Sequence, residues 1–204
     1  MEKTLYFNWK EEIKEEELRK VKEVLEQDGL IIFPTDTVYG LACNCYSVKA
    51  IEKIFEIKKR IREKPINVLT DSVDKIETVA TVSEKERKLV ETYMPGALTI
   101  IFDKKEQVPS ILTAGLYTVG VRIPDNEIAL RILKESSYPL ATTSANESGE
   151  EDGVEVKDLI PYFDGKVDII IDGGATKLQK ASTIIRVEEE RIKVLREGSL
   201  KIEE

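Results

Sequence analysis

Three short segments of this 204-residue chain gather charged and polar groups in patterns that can hold an anionic substrate. Lys58-Lys59-Arg60-Ile61-Arg62-Glu63-Lys64-Pro65 sets five cations within seven positions. Arginine offers a planar fork to phosphate oxygens and lysine a compact charge, so the mixture suits a polyphosphate clamp. It equally suits the solvated C-terminal end of a helix, where cations complement the dipole. The chain has no Gly-x-x-x-x-Gly-Lys-Ser/Thr loop, which excludes a P-loop NTPase. The second segment, Pro34-Thr35-Asp36-Thr37-Val38-Tyr39-Gly40, follows the apolar run Leu30 to Phe33. Polar groups just beyond a strand end are where open α/β sheets bind ligands. The same residues also read as a capped turn, with Thr35 or Asp36 accepting backbone N–H groups and Tyr39 packed inward. The third, Thr142-Thr143-Ser144-Ala145-Asn146-Glu147-Ser148-Gly149, is a cluster of neutral donors and acceptors that orients a substrate or closes a hydrogen-bonded turn. With no base evident beside it, Ser144 is not read as a covalent nucleophile.

Composition narrows the chemistry. The chain contains no histidine, which removes imidazole bases, Ser-His-Asp triads and His-containing zinc sites together. Any catalysis must use other means. The two cysteines, Cys43 and Cys45, are too close in sequence to close a long loop and read as reduced, packed thiols. A net charge of -8 opposes a protein that coats nucleic acid non-specifically, while leaving a local basic site open. No apolar run approaches the ~20 residues of a membrane helix, and the first residues lack the order of a signal peptide. The expectation is a cytoplasmic protein with no membrane partner.

The elements that must carry these segments alternate in type. Ile13, Leu18, Val21, Val24 and Leu25 have helical spacing, Asp28-Gly29 ends that run, and a buried strand follows at Leu30 to Phe33. Ala50, Ile51, Ile54, Phe55 and Ile57 predict a second helix, leading through the cations to a strand at Ile66 to Thr70. Ser83 with Glu86 forms a capping-box signature for a third helix, stopped by Pro95-Gly96. Strands are predicted at Ala97 to Phe102, Val119 to Ile123, Pro139 to Thr143, Val167 to Ile171, Thr183 to Val187 and Ile192 to Leu195. Helices fall after Asp125 or Asn126 and near Val156 to Tyr162. The fold class is α/β on the α+β border: one domain over residues 1–204, with a sheet layered by helices. Strand order does not follow from the pattern.

Together the three segments resemble the signatures of the YrdC-like threonylcarbamoyl-AMP synthase family: a Pro-Thr-Asp/Glu-Thr-Val-Tyr-Gly strand end, a Lys-x-Arg segment and a Ser-x-Asn motif. Further matches are Met94-Pro95-Gly96-Ala97-Leu98-Thr99, Leu112-Thr113-Ala114-Gly115, Gly120-Val121-Arg122-Ile123-Pro124, Ile171-Asp172-Gly173-Gly174, Ala181-Ser182-Thr183-Ile184 and Leu195-Arg196-Glu197-Gly198. They cover roughly residues 29–198, and the chain is similar to the short, single-domain members.

The resemblance implies a twisted open mixed sheet with flanking helices and a large concave ligand-binding face. It implies synthesis of threonylcarbamoyl-AMP and pyrophosphate from L-threonine, bicarbonate or CO2 and ATP, for the threonylcarbamoyladenosine modification of tRNA. By matching positions, Lys58, Arg60, Ser144 and Asn146 form the catalytic set; Arg60, Lys64, Thr113, Ser144 and Arg196 surround ATP; Thr37, Arg122, Thr142 and Ser182 hold threonine. Magnesium is expected to arrive with ATP, with no dedicated metal site in the protein. A downstream threonylcarbamoyl transferase complex and an RNA or tRNA contact are the implied partners. The chain departs from the family pattern at Lys59, Ile61 and Lys64, and carries Leu69 where some relatives have histidine. Two other readings stay open: an RNA-binding module using the same basic face, and a relative with the fold but an altered nucleotide-dependent reaction.

Overall fold

The computed structural model describes residues 3–189 and 191–202. Its described elements are, in chain order, β1 (Leu5–Asn8), α1 (Glu15–Glu26), β2 (Ile31–Phe33), β3 (Gly40–Asn44), α2 (Val48–Lys58), β4 (Asn67–Leu69), α3 (Val73–Val79), β5 (Ala80–Thr81), α4 (Glu84–Tyr93), β6 (Leu98–Lys104), β7 (Thr118–Arg122), α5 (Glu127–Glu135), β8 (Leu140–Ser144), α6 (Val156–Phe163), β9 (Ile169–Asp172), β10 (Thr183–Glu188) and β11 (Arg191–Arg196). The expected mixture of helices around a mixed sheet is present. The sequence pattern did not anticipate β1, β3, α3 or β5.

All eleven strands join one sheet in the order β1-β9-β2-β3-β8-β4-β7-β6-β10-β11, with β5 added beside β6. Parallel and antiparallel pairings alternate irregularly: β1, β9 and β2 run parallel, β3 and β8 pair antiparallel, and β4 returns parallel to β7. Strand β2 is buried on both faces and is apolar throughout rather than alternating. In β2, Ile32 packs into one core while Ile31 and Phe33 pack into the other.

The smaller core joins Leu18, Val21 and Leu25 of α1 to Ile128, Ala129, Ile132 and Leu133 of α5. The larger core takes the buried faces of α2, α3, α4 and α6. Local sequence explains where these helices start. Ser83 and Glu86 complete a reciprocal capping box on α4, and the Asn126 side chain accepts from Ala129 N at 3.0 Å on α5. No described helix is long and apolar enough to cross a membrane.

Register brings the polar segments toward the middle of the sheet. Gly40 lies opposite Ser144, Ala42 opposite Thr142, Asn67 opposite Thr142 and Leu69 opposite Arg122. Glycine at position 40 permits this closeness, since a Cβ there would sit 2.7 Å from the Thr142 methyl. At the other side of the site, a Cβ on Gly198 would lie 2.2 Å from the Ser182 carbonyl carbon, so the chain after β11 folds back on the Ala181-Ser182 segment only with glycine.

Candidate functional site

A cavity of about 200 Å³ opens over the centre of the sheet. Seven residues singled out from the sequence line it: Thr37, Arg60, Arg122, Thr142, Ser144, Ser182 and Arg196. Pockets that bury drug-sized ligands run roughly 300–1,000 Å³. The enclosed part therefore suits something of amino-acid size.

The turn between β2 and β3 forms one wall. Thr35 Oγ1 accepts from Thr37 N at 3.2 Å and Val38 N at 3.3 Å and donates to Val38 O at 2.6 Å. Tyr39 Oη donates to Gly174 O at 2.7 Å and accepts from Gly173 N, fixing the turn against the segment after β9. Arg122, at the end of β7, enters from the adjacent part of the sheet. Its Nε donates to Gly96 O at 3.0 Å, its Nη1 to Thr37 Oγ1 at 2.8 Å, and its Nη2 to Asp36 Oδ1, forming a buried ion pair. Burial lowers the Arg122 pKa and the Asp36 charge opposes that fall. The guanidinium remains charged.

On the opposite wall, Thr99 and Ser182 share a hydrogen bond at 2.8 Å. Arg196 Nη2 donates to Ser182 O at 2.8 Å and to Ser182 Oγ at 3.2 Å. Arg60 is turned into the cavity by the end of α2. Lys59 adopts a left-handed φ of 50°, which stops the helix and reverses the chain. Arg60 then donates to the carbonyls of Lys64 and Pro65 at 3.1 and 2.8 Å.

Four residues of the expected set do not line this cavity. Lys58 is 1% exposed, and its ammonium donates to Ser144 O at 2.5 Å, Asn146 O at 2.7 Å and Asn146 Oδ1 at 2.7 Å. A lysine has three N–H donors, so none is left for a phosphate. In this arrangement it ties the Ser144-Asn146 segment to the end of α2. Burial, and secondarily the Arg60 charge, pull its pKa down to about 7, while Asp152 opposes them. Asn146 is half-buried, its side chain accepting from Ser144 Oγ at 2.7 Å and donating to Glu150 O at 2.7 Å. Thr113 is fully buried and donates to Leu116 O at 2.9 Å, closing its own turn. The Lys64 side chain is exposed, and it is the residue's carbonyl that orients Arg60.

The cationic run is also not an open basic face. Lys59 pairs with Glu147 at 2.5 Å, Arg62 stands 4.0 Å from Glu52, Lys58 is buried and Arg60 faces the cavity. The departures at Lys59 and Ile61 thus fall on a well-formed helix end, with Lys59 anchored across to the Ser-x-Asn segment. Leu69 lines the cavity as an apolar wall.

Sequence reasoning missed Asn67, Thr99 and Asp152, all of which line the cavity. Thr99 carried a signal, a hydroxyl inside the apolar run Leu98 to Phe102. Asp152, in the acidic loop Glu150-Glu151-Asp152, carried none.

Comparison with known proteins identifies the family. The Sua5/YciO/YrdC family model, described as "Telomere recombination", matches residues 23–198. The chain is 37% identical over 202 residues to the threonylcarbamoyl-AMP synthase of Pyrococcus abyssi, covering 98% of this chain and 59% of that protein. It is 39% identical over 196 residues to a Methanocaldococcus jannaschii protein provisionally given the same description, covering 94% of this chain and 92% of that one. The solved structure of P. abyssi Sua5 complexed with L-threonine superposes with a TM-score of 0.92 at 37% identity, covering 96% of this chain and 58% of that one. The chain thus spans about three-fifths of the P. abyssi protein. With the family model spanning most of its length and the motif residues gathered on one cavity, the chain belongs to the Sua5/YciO/YrdC family.

Proposed function

We propose that the protein is an L-threonylcarbamoyladenylate synthase, a nucleotidyltransferase joining L-threonine, bicarbonate and ATP into threonylcarbamoyl-AMP with release of pyrophosphate. The observation that carries this reading is the convergence of Thr37, Arg60, Arg122, Thr142, Ser144, Ser182 and Arg196 on a cavity sized for an amino acid. The L-threonine complex of the P. abyssi relative supports it.

Three of the five Arg122 N–H donors are engaged, and the remaining two, one on each terminal nitrogen, take the threonine carboxylate. Thr37, Thr142 and Ser182 supply hydroxyls to the rest of the amino acid. The threonine amine attacks the bicarbonate carbon, and as the C–N bond forms a C–O bond breaks and water leaves, giving an N-carboxy group. A carboxylate oxygen of that group attacks the α-phosphorus of ATP, and the bond to pyrophosphate breaks. Arg60 and Arg196 meet the charge that spreads over the phosphoryl oxygens, and Ser144 Oγ orients the reacting group. This chemistry requires alignment and cations more than a strong base, in keeping with a site that lacks histidine.

Among the described residues, no group of three or more acidic, histidine or cysteine side chains gathers to hold a metal. Asp152 is, among the described residues, the single carboxylate lining the cavity, which fits a magnesium ion that takes most of its ligands from ATP and water. When bound, the ion offsets phosphate charge.

The test is an omission experiment with purified protein, ATP and magnesium. Pyrophosphate and a product with the mass of threonylcarbamoyl-AMP should form only when L-threonine and bicarbonate are both present. Equal pyrophosphate release without bicarbonate would assign the site an altered reaction. Absent ATP turnover, with tRNA binding that weakens steeply with salt, would favour the RNA-binding module.

A further inference from the structure

We infer that Asp36 is a positioning residue for amino-acid recognition, fixing the guanidinium of Arg122 so that its unengaged edge meets the ligand carboxylate. The inference rests on the proposed role of Arg122, and it concerns a side chain that does not itself line the cavity.

The local geometry separates this role from ordinary turn capping. An aspartate at such a turn usually accepts the backbone N–H groups that follow it. Here Thr35 Oγ1 accepts from both Thr37 N and Val38 N, so the turn closes without the Asp36 side chain. The Asp36 carboxylate is nearly sealed from solvent, at 2% exposure against 7% for the Arg122 side chain. Its Oδ1 takes Arg122 Nη2, and its Oδ2 has no hydrogen-bond partner among the described residues. A buried carboxylate left half-satisfied is costly in a purely structural role. Its one strong partner is the arginine, so its burial is compensated only while Arg122 stays where it is.

The guanidinium is held from three directions. Gly96 O takes Nε, Thr37 Oγ1 takes Nη1 and Asp36 takes Nη2, and only the last partner is charged. All three bonds are charge-assisted by the guanidinium, but Asp36 alone adds a buried opposite charge, so it dominates the orientation of the plane. It also offsets the arginine charge in the ligand-free cavity, where an unpaired buried guanidinium would turn toward solvent.

The experiment measures dissociation constants by calorimetry for L-threonine and for L-threoninol, which lacks the carboxylate, in wild type, Asp36→Asn, Asp36→Glu and Arg122→Lys. In wild type the ratio of the two constants reports recognition of the carboxylate. Asp36→Asn should reduce that ratio at least tenfold by weakening threonine, leaving threoninol and ATP binding within about threefold of wild type. Asp36→Glu should restore part of the ratio. If Asp36→Asn does not fold, Asp36→Ser, which leaves room for water beside Arg122, must show the same fall.

Equal weakening of both ligands would make Asp36 merely structural and overturn the inference, and so would tighter threonine binding. If Arg122→Lys leaves the ratio unchanged, the role assigned to Arg122 fails. If Arg122→Lys collapses the ratio and Asp36→Asn preserves it, only the role of Asp36 fails.

Discussion

Replacing Lys58 by methionine keeps an unbranched side chain and removes the ammonium. Three acceptors then lose their donor: Ser144 O, Asn146 O and Asn146 Oδ1, at 2.5, 2.7 and 2.7 Å. Hydrogen bonds from a charged group contribute roughly 1.5–3 kcal/mol each, so the hold on the Ser144-Asn146 segment is about 4–9 kcal/mol. Against it stands the burial of the charge. A pKa brought from 10.5 to about 7 corresponds to a cost on the order of 5 kcal/mol, at about 1.4 kcal/mol per tenfold. The two nearly cancel globally, and the local consequence remains. At pH 6.5, where the ammonium is mostly protonated, Lys58→Met should change the global unfolding free energy by no more than about 4 kcal/mol. The Ser148 and Glu150 amides, which bond to Lys58 O and Glu147 O, should exchange with solvent about 100-fold faster. Turnover should fall on the order of 100-fold, because Ser144 is no longer fixed at the cavity. The sign with pH is also determined. The folded pKa lies below the unfolded one, so from about pH 7 to 10.5 the unfolded chain holds the additional proton. Wild type should therefore gain stability relative to Lys58→Met as pH rises through that window. Hydrogen exchange, denaturant titration and steady-state turnover are the assays. Wild-type loop protection together with turnover within about threefold of wild type would refute the reasoning.

Two further outcomes follow from the geometry. Arg60→Ala should lower turnover by about 100-fold with little change in the unfolding midpoint, since its contacts besides the cavity are two carbonyls of its own turn; unaltered kcat/KM would remove it from the phosphate site. Cys43 and Cys45 are fully buried, and burial raises both thiol pKa values, so iodoacetamide at pH 8 should label neither in the native protein and both in denaturant, as counted by mass spectrometry.

The sequence displayed the site more readily than the sheet that builds it. Motif residues sit at strand ends, where side chains of fixed chemistry are concentrated, and seven of them reach one cavity. Strand β3 was illegible because Gly40-Leu41-Ala42-Cys43-Asn44 is poor in β-branched residues; it becomes a strand through pairing with β2 and β8. Helix α3 spans only seven residues, too few for a periodic pattern to stand out. The inward placement of Lys58 has a definite cause. Its charge was weighed as part of a cationic run, yet Ile51, Ile54, Phe55 and Lys58 follow the i, i+3, i+4, i+7 spacing of one helix face, and all four are buried. The phase of the helix outweighed the type of the residue. The Asp36–Arg122 pair was hidden for a different reason, since nothing local reveals which of two adjacent turn residues caps the backbone.

The separation of the cavity's walls along the chain bears on how the protein is made. Synthesis runs from the N-terminus, so Asp36, Thr37 and Arg122 emerge long before Ser182 and Arg196. The ion pair can close while β6 still presents a bare edge, because its outer neighbour β10 has yet to appear. Until that strand is added, Thr99 lacks its hydroxyl partner and the half-built cavity has one wall. The β6 edge that pairs with β10 thus stays unpaired until the later strands are made, and the wall that holds Ser182 and Arg196 is the last to be supplied.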